Sequence, residues 1–154
     1  MLEYLALEKS PYYSDCEKLA SDLGYTLVSL KVTPMKGRMQ VQVVITFKDS
    51  SVTEGIGIED CAKVHRVLAV RMEELLPGQD VYMEVTSPGM ERNIKNAAEF
   101  SLFANKKVRL YSTEISDWIE GVILSADEKQ VTIRTQDSEK SIAFENIAKA
   151  KANF

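Results

Sequence analysis

The chain has 154 residues, of which 45% are hydrophobic, 27% charged and 8% aromatic, a balance that suits one ordinary domain or two small ones and excludes a disordered tail. No stretch approaches the roughly 18 consecutive apolar residues of a membrane span, and the start lacks the basic and apolar runs of a signal peptide, so no membrane partner is expected. Nineteen Lys and Arg against 23 Asp and Glu leave a net charge of −4, and a pI of 5.1 does not advertise a free-standing nucleic-acid binder.

The first helix signal is Ser10-Pro11, an N-cap residue followed by proline at the first helical position. Cys16, Leu19, Ala20 and Leu23 then recur at helical spacing, and Gly24 supplies the stop. Residues 25–32 and 40–47 are rich in β-formers, and the turn-rich segment 33–39 between them predicts a hairpin. Residues 58–76 carry the clearest helical pattern, with Ile58, Cys61, Ala62, His65, Leu68, Ala69, Met72, Leu75 and Leu76 on one face. Pro77-Gly78 ends that helix, and residues 81–86 form a third strand closed by the turn Ser87-Pro88-Gly89. Residues 1–90 therefore predict an N-terminal αββαβ two-layer α+β domain. The order is KH-like, but no Gly-x-x-Gly occurs to clamp a nucleic-acid backbone.

The second half changes character after a linker at 88–96. A short helical piece at 97–104 gives way to strands at 107–111, 118–125, 130–135 and 140–144, with turns at 126–129 and 136–139. Short strands at this spacing predict a small all-β barrel over 91–154, SH3-like or Sm-like. Gly121 sits inside a strand and is expected to let it bend enough to serve both sides of the barrel. Residues 1–90 hold nine basic and thirteen acidic side chains, whereas residues 91–154 hold ten of each.

A catalytic set is hard to assemble from these residues. His65, the one histidine, falls within the apolar stripe and is expected to be a buried structural residue. Cys16 and Cys61 fit neither a metal cluster nor a disulfide framework; both are expected as free thiols in a reducing cytoplasm. Glu59-Asp60 suits the positive end of a helix macrodipole better than an acid pair. Gly55-Ile-Gly57 is too little for a phosphate loop, and Ser87 lacks the flanking glycines of a nucleophile elbow. No catalytic, metal or cofactor site is expected. Local basic groups remain: Lys36 and Arg38 on the first hairpin, Arg92 and Lys95 past the turn, and Lys106, Lys107 and Arg109 at the start of the barrel. The last five are the candidate partner-binding residues.

Residues 82–92, Tyr-Met-Glu-Val-Thr-Ser-Pro-Gly-Met-Glu-Arg, resemble the L-E-V-S-S-P-G-[LI]-D-R signature of the ribosome maturation factor RimP family. Four more segments resemble that family in order: Gly24–Val28, Ile58–Val64, Trp118–Leu124 with its internal glycine, and the closing Ile142–Ala150. Two features depart from it. Asn93 stands where the family's signature continues with proline, which restores an N–H and frees φ at that position, and the loop at 112–117 is short. The resemblance implies a cytoplasmic, non-catalytic, monomeric protein of two domains. Such a protein would bind immature small ribosomal subunits through a basic small-subunit ribosomal protein, with rRNA as a further contact, and promote their maturation. It would use its barrel and interdomain segment, where Arg92 is the expected anchor because a guanidinium can grip phosphate or carboxylate in bidentate fashion. The acidic first half would help steer the molecule to basic protein tails. Two rivals stand beside this: a general RNA-binding module with KH-like and Sm-like parts acting on regulatory RNA, which calls for clustered arginines and exposed aromatics, and an enzyme using His65 with Glu59 and Asp60.

Overall fold

The computed structural model describes residues 1–49, 52 and 55–153. The chain is α+β, and among the described residues its strands form one three-stranded and one six-stranded sheet. It divides into two compact units, Leu7–Pro88 and Gly89–Phe154, the latter joined by Met1–Ala6.

In the first unit the elements run α1 (Tyr13–Asp22), β1 (Tyr25–Met35), β2 (Arg38–Phe47), α2 (Ile58–Leu75) and β3 (Val81–Thr86). Helix α1 starts later than Ser10-Pro11 suggests: its N-cap is Tyr12, in the left-handed region at φ 66°, and no side chain caps it. Ser10 is used one turn earlier, where its N–H donates to Leu7 O. Strands β1 and β2 form the expected hairpin, closed by the two-residue turn Lys36-Gly37 with Gly37 at φ +79°. Strand β3 pairs with β2 in parallel, a connection that needs a crossover, and α2 supplies it.

A bulge between Leu27 and Ser29 decides which side chains of β1 reach the core. Before it Tyr25 and Leu27 point inward; after it Leu30 does, so the parity switches from odd to even. Val41, Val43 and Ile45 of β2 and Met83 of β3 complete the inner face of this sheet. Against it pack Tyr13, Cys16 and Ala20 of α1 and Val64, Leu68 and Met72 of α2. The Cys16 thiol lies 3.7 Å from Met72 Sδ, and burial pushes its pKa up to about 11, so it is an inert free thiol.

The stripe expected on α2 is displaced. Val64, which the sequence pattern left out, is fully buried, while Ile58 is 90% exposed and His65 is exposed rather than buried. The pattern overshot because the apolar residues of α2 spread over more of its circumference than one sheet can cover. His65 still has a structural partner: its Nε2 lies 3.2 Å from Met83 O, and since a carbonyl can only accept, Nε2 carries the proton.

In the second unit the strands are β4 (Glu91–Asn93), β5 (Lys107–Ser112), β6 (Asp117–Ala126), β7 (Gln130–Arg134), β8 (Glu139–Ala143) and β9 (Ile147–Asn153), in sheet order β4-β9-β5-β6-β7-β8. Strands β4 and β9 were not apparent from composition; the other four lie within a residue or two of expectation. The helical piece is a 3₁₀ helix, Ala97–Phe103, which buries Phe100 and Phe103. Asn96 caps it through Ala98 N–H and also clamps the N-terminal segment, accepting from Leu5 N–H and donating to Leu5 O. Tyr4 and Phe100 each lie nearly parallel to the Phe144 ring, at centroid distances of 6.2 and 5.7 Å.

Strand β6 pairs with β5 through residues 117–122 and with β7 through 122–126. Gly121 stands where the two ladders meet. A Cβ there would lie 2.7 Å from Arg134 O and 3.2 Å from Ile133 Cδ1, and its φ is not in the left-handed region. The glycine is thus required by close backbone approach rather than by an unusual backbone angle. Replacing Gly121 by valine should destabilise the protein by about 1–3 kcal/mol, because the blocking atom is a carbonyl fixed in a ladder. Alanine, which adds only the clashing Cβ, should cause most of that loss. Thermal unfolding of the three proteins measures it, and an unchanged midpoint would refute the steric origin.

Asp60, in the first turn of α2, accepts from Tyr25 OH at 2.5 Å and from Gly57 N–H at 2.8 Å, tying the helix start to β1. Those two donors, the tyrosine first, hold its carboxyl below the usual range, whereas burial and then the bond to Asp60 raise Tyr25 to about 12. A lowered carboxylate pKa stabilises the fold above the unfolded-state titration, and the effect is lost as pH falls through the folded value. Tyr25→Phe should therefore lower stability by about 1 kcal/mol at neutral pH. The gap from the parent should shrink in acid, as urea unfolding at pH 7 and pH 3 would show.

Candidate functional site

Alternation along β5 turns Val108 and Leu110 into the core and leaves Lys107, Arg109 and Tyr111 on the opposite face. The register then determines what lies beside them, since residues directly paired across strands share a face. On β9 the partners of Lys107, Arg109 and Tyr111 are Asn153, Lys151 and Lys149; on β6 they are Val122, Glu120 and Trp118. Val122 in turn pairs with Arg134 of β7, and Asn153 with Glu91 of β4. Lys107, Arg109, Arg134, Lys149 and Lys151 thus gather on one outer face with three carboxylates, Glu91, Glu120 and Glu139, the last paired with Arg134 across β7 and β8.

The side chains make a definite arrangement there. The Arg109 guanidinium lies 5.0 Å over the Trp118 ring, and Tyr111 meets Trp118 edge-on at 5.7 Å. Arg109 Nε is 3.1 Å from Glu120 Oε1 but out of hydrogen-bond alignment, so stacking on the indole does more to orient it than the ion pair. Lys151 Nζ is 3.3 Å from Glu91 Oε1. Beside this row, Lys107, Arg109, Gly121 and Arg134 border a cleft of about 380 Å³.

Of the five residues singled out from sequence, Lys107 and Arg109 lie on this face. Lys95 is exposed just before the 3₁₀ helix, and Lys106 is half-buried just before β5. Arg92 is placed otherwise. It pairs with Ala152, whose other neighbour is Val108, and both of those are buried, so it points to the inner side of the sheet. There its Nε donates to Glu99 Oε1 at 2.6 Å, with Glu99 only 5% exposed. That guanidinium is held by a buried carboxylate, which without it would be an uncompensated charge. The turn Ser87-Pro88-Gly89 links the two units in sequence, with Gly89 at φ +82°.

Tyr111, Trp118 and Arg134 were not singled out from the sequence, whereas Lys149 and Lys151 lie in the final segment, 144–151, where the sequence leads one to expect partner contacts. One signal was legible: Lys149-Ala-Lys-Ala alternates charged and small residues at the period of a half-buried strand. On the first hairpin Arg38 lies 4.9 Å over the Tyr82 ring, while Lys36 is exposed at the turn. The groups an enzyme would use have separate partners, His65 with Met83 O and Asp60 with Tyr25 and Gly57. Among the described residues no group of three or more His, Cys, Asp or Glu could hold a metal ion, and no helix is long and apolar enough to cross a membrane.

Comparison with known proteins agrees with the resemblance seen in the signature segments. Residues 15–91, half of the chain, match the family model described as the RimP N-terminal domain. The chain is 25% identical over 145 residues to the ribosome maturation factor RimP of Borrelia hermsii, covering 94% of this chain and 96% of that one. It is 24% identical over 144 residues to that of Borrelia recurrentis, with coverages of 94% and 95%, and 25% identical over 139 residues to that of Borrelia garinii subsp. bavariensis, with 90% and 91%. Matched through half its length by the family's own domain and along nearly all of it by these relatives, the chain belongs to the ribosome maturation factor RimP family.

Proposed function

We propose that this protein is a non-catalytic ribosome maturation factor of the cytoplasm that binds immature small ribosomal subunits as a monomer. In this proposal an αββαβ two-layer domain, 1–90, and an Sm-like barrel, 91–154, act together across the segment 88–96. The observation that carries it is the sheet face bearing Lys107, Arg109, Lys149 and Lys151, in a chain whose relatives are named ribosome maturation factors. Such a face suits rRNA phosphates; a basic ribosomal protein is better matched to the acidic first half, with its thirteen carboxylates against nine cations. Lys95 and Lys106 are proposed as further contacts with the partner. Arg92 supports it from the inside through Glu99 rather than serving as an exposed anchor. The RNA-module alternative gains from the Arg109–Trp118–Tyr111 group, the kind of cluster it calls for. The family relationship favours the ribosomal role.

Co-sedimentation with immature small subunits from cells lacking the protein tests this. Reversing Lys107 and Arg109 together to glutamate should lower the bound fraction about tenfold or more at physiological salt, while Lys9→Glu should do little. Equal losses would indicate non-specific electrostatics, and no loss from the double reversal would remove this face as the contact.

Arg92→Glu behaves differently. It leaves two carboxylates facing each other in a buried setting and should destabilise the protein by about 3–5 kcal/mol, measured by thermal unfolding. A normally stable Arg92→Glu protein would show that the pair with Glu99 is dispensable.

A further inference from the structure

The chain has one tryptophan, and it lies on the cationic face near the start of β6. Trp118 and Tyr111 are directly paired across β5 and β6 and meet edge-on, with the planar Arg109 guanidinium lying over the indole. Both aromatic side chains are half-buried, though the sheet's apolar core lies on the other side and does not require them. Around them Glu120 and Glu91 are matched by Arg109 and Lys151, and Glu139 lies across from Arg134, which leaves Lys107 and Lys149 in excess.

A phosphate-binding face needs cations alone; it has no use for an aromatic pair and a stacked guanidinium. A partner with flat, unsaturated rings strung along a polyanion uses all of these groups. The exposed side of a guanidinium plane and the free edge of an aromatic pair can each receive a base, and every base has a π-face to offer. Lys149 and Lys151 lie two residues apart on β9, about 7 Å along the strand, a spacing that follows the phosphates of an extended single strand. An A-form duplex keeps its bases stacked within itself and could use only the cations. An acidic peptide would use the lysines but leave the stacked group without a role.

We infer that the Arg109–Tyr111–Trp118 group is a stacking platform for one or two unpaired bases of single-stranded RNA, whose phosphates run along Lys149, Lys151 and Lys107. This rests on assigning the face to ribosomal contact, but it makes a separate claim about the state of the RNA.

Trp118 reports on its own site, so the test is direct. The full-length protein is titrated with a ten-nucleotide single-stranded RNA, the same RNA as a duplex, an abasic oligomer of equal charge, and oligoglutamate, following tryptophan emission and the anisotropy of labelled RNA. The single strand should quench Trp118 on binding, while the duplex and the abasic oligomer should bind more weakly without quenching. Tyr111→Leu, which keeps the reporter, and Trp118→Ala should each weaken single-strand binding roughly 5- to 150-fold. Trp118→Phe should restore much of it. Circular dichroism confirms that each variant is folded before its affinity is read. Equal binding of abasic and intact RNA would overturn the platform in favour of phosphate contact alone, and quenching by oligoglutamate without RNA binding would overturn it in favour of an acidic protein partner. Failure of every RNA to bind, with subunit co-sedimentation intact, would overturn this inference while leaving the proposed function standing.

Discussion

At Gly121 the backbone of β6 passes so close to β7 that an added Cβ would touch the Arg134 carbonyl oxygen. Most of the second unit's organisation depends on this approach. Because β6 comes in that tightly, its first part can pair with β5 and its last part with β7, and Val122 pairs with both. The register fixed there aligns Trp118 with Tyr111 and Glu120 with Arg109, and places Arg134 beside Val122. A one-residue slip would carry each of these side chains to the opposite face. A missing side chain thus determines where the neighbouring side chains lie.

The first unit solves a related problem by adding a residue. Its sheet must present one apolar face to two helices, yet the sequence of β1 would put Leu30 on the side opposite Leu27. The bulge between Leu27 and Ser29 corrects the parity, so Tyr25, Leu27 and Leu30 all reach the core. Helix α2 is then fixed at its start by Asp60, which satisfies both the Gly57 N–H and the Tyr25 hydroxyl. Gly57 has no side chain to cap the helix, so the acid within the first turn is the group that anchors it.

Charge is distributed in a way that the total conceals. The second half of the chain is neutral overall, but alternation and register bring five of its ten cations onto one face of its sheet with only three of its ten acids. Arg92 and Arg109 are seventeen positions apart and chemically identical, yet one is enclosed with a buried glutamate and the other spreads over an indole. The inner arginine stabilises the unit, and the outer one is available to a partner. This division keeps the stability of the fold separate from the chemistry of its surface.

The sequence by itself determined the order and kind of most elements, because those follow from local pattern. Glycine and proline punctuate the chain at Gly24, Pro77-Gly78 and Pro88-Gly89, β-formers cluster at 25–32 and 40–47, and five segments in order, among them the one ending at Arg92, resemble one family. It also marked Gly121 as exceptional and Lys107 and Arg109 as candidates. Only the tertiary structure decided which side of each element faces inward. The sheet covers just part of α2, so Val64 is buried and His65 is left outside with a backbone partner, although the helical pattern admits either. The short strands Glu91–Asn93 and Ile147–Asn153 hydrogen-bond to each other from nearly opposite ends of the unit, and neither carries enough β-formers to announce itself. Through that pairing Arg92 turns inward and Lys149 and Lys151 come beside Arg109 and Tyr111. Long-range register, rather than any local preference, assembles the candidate site, and register emerges only when the chain has closed on itself.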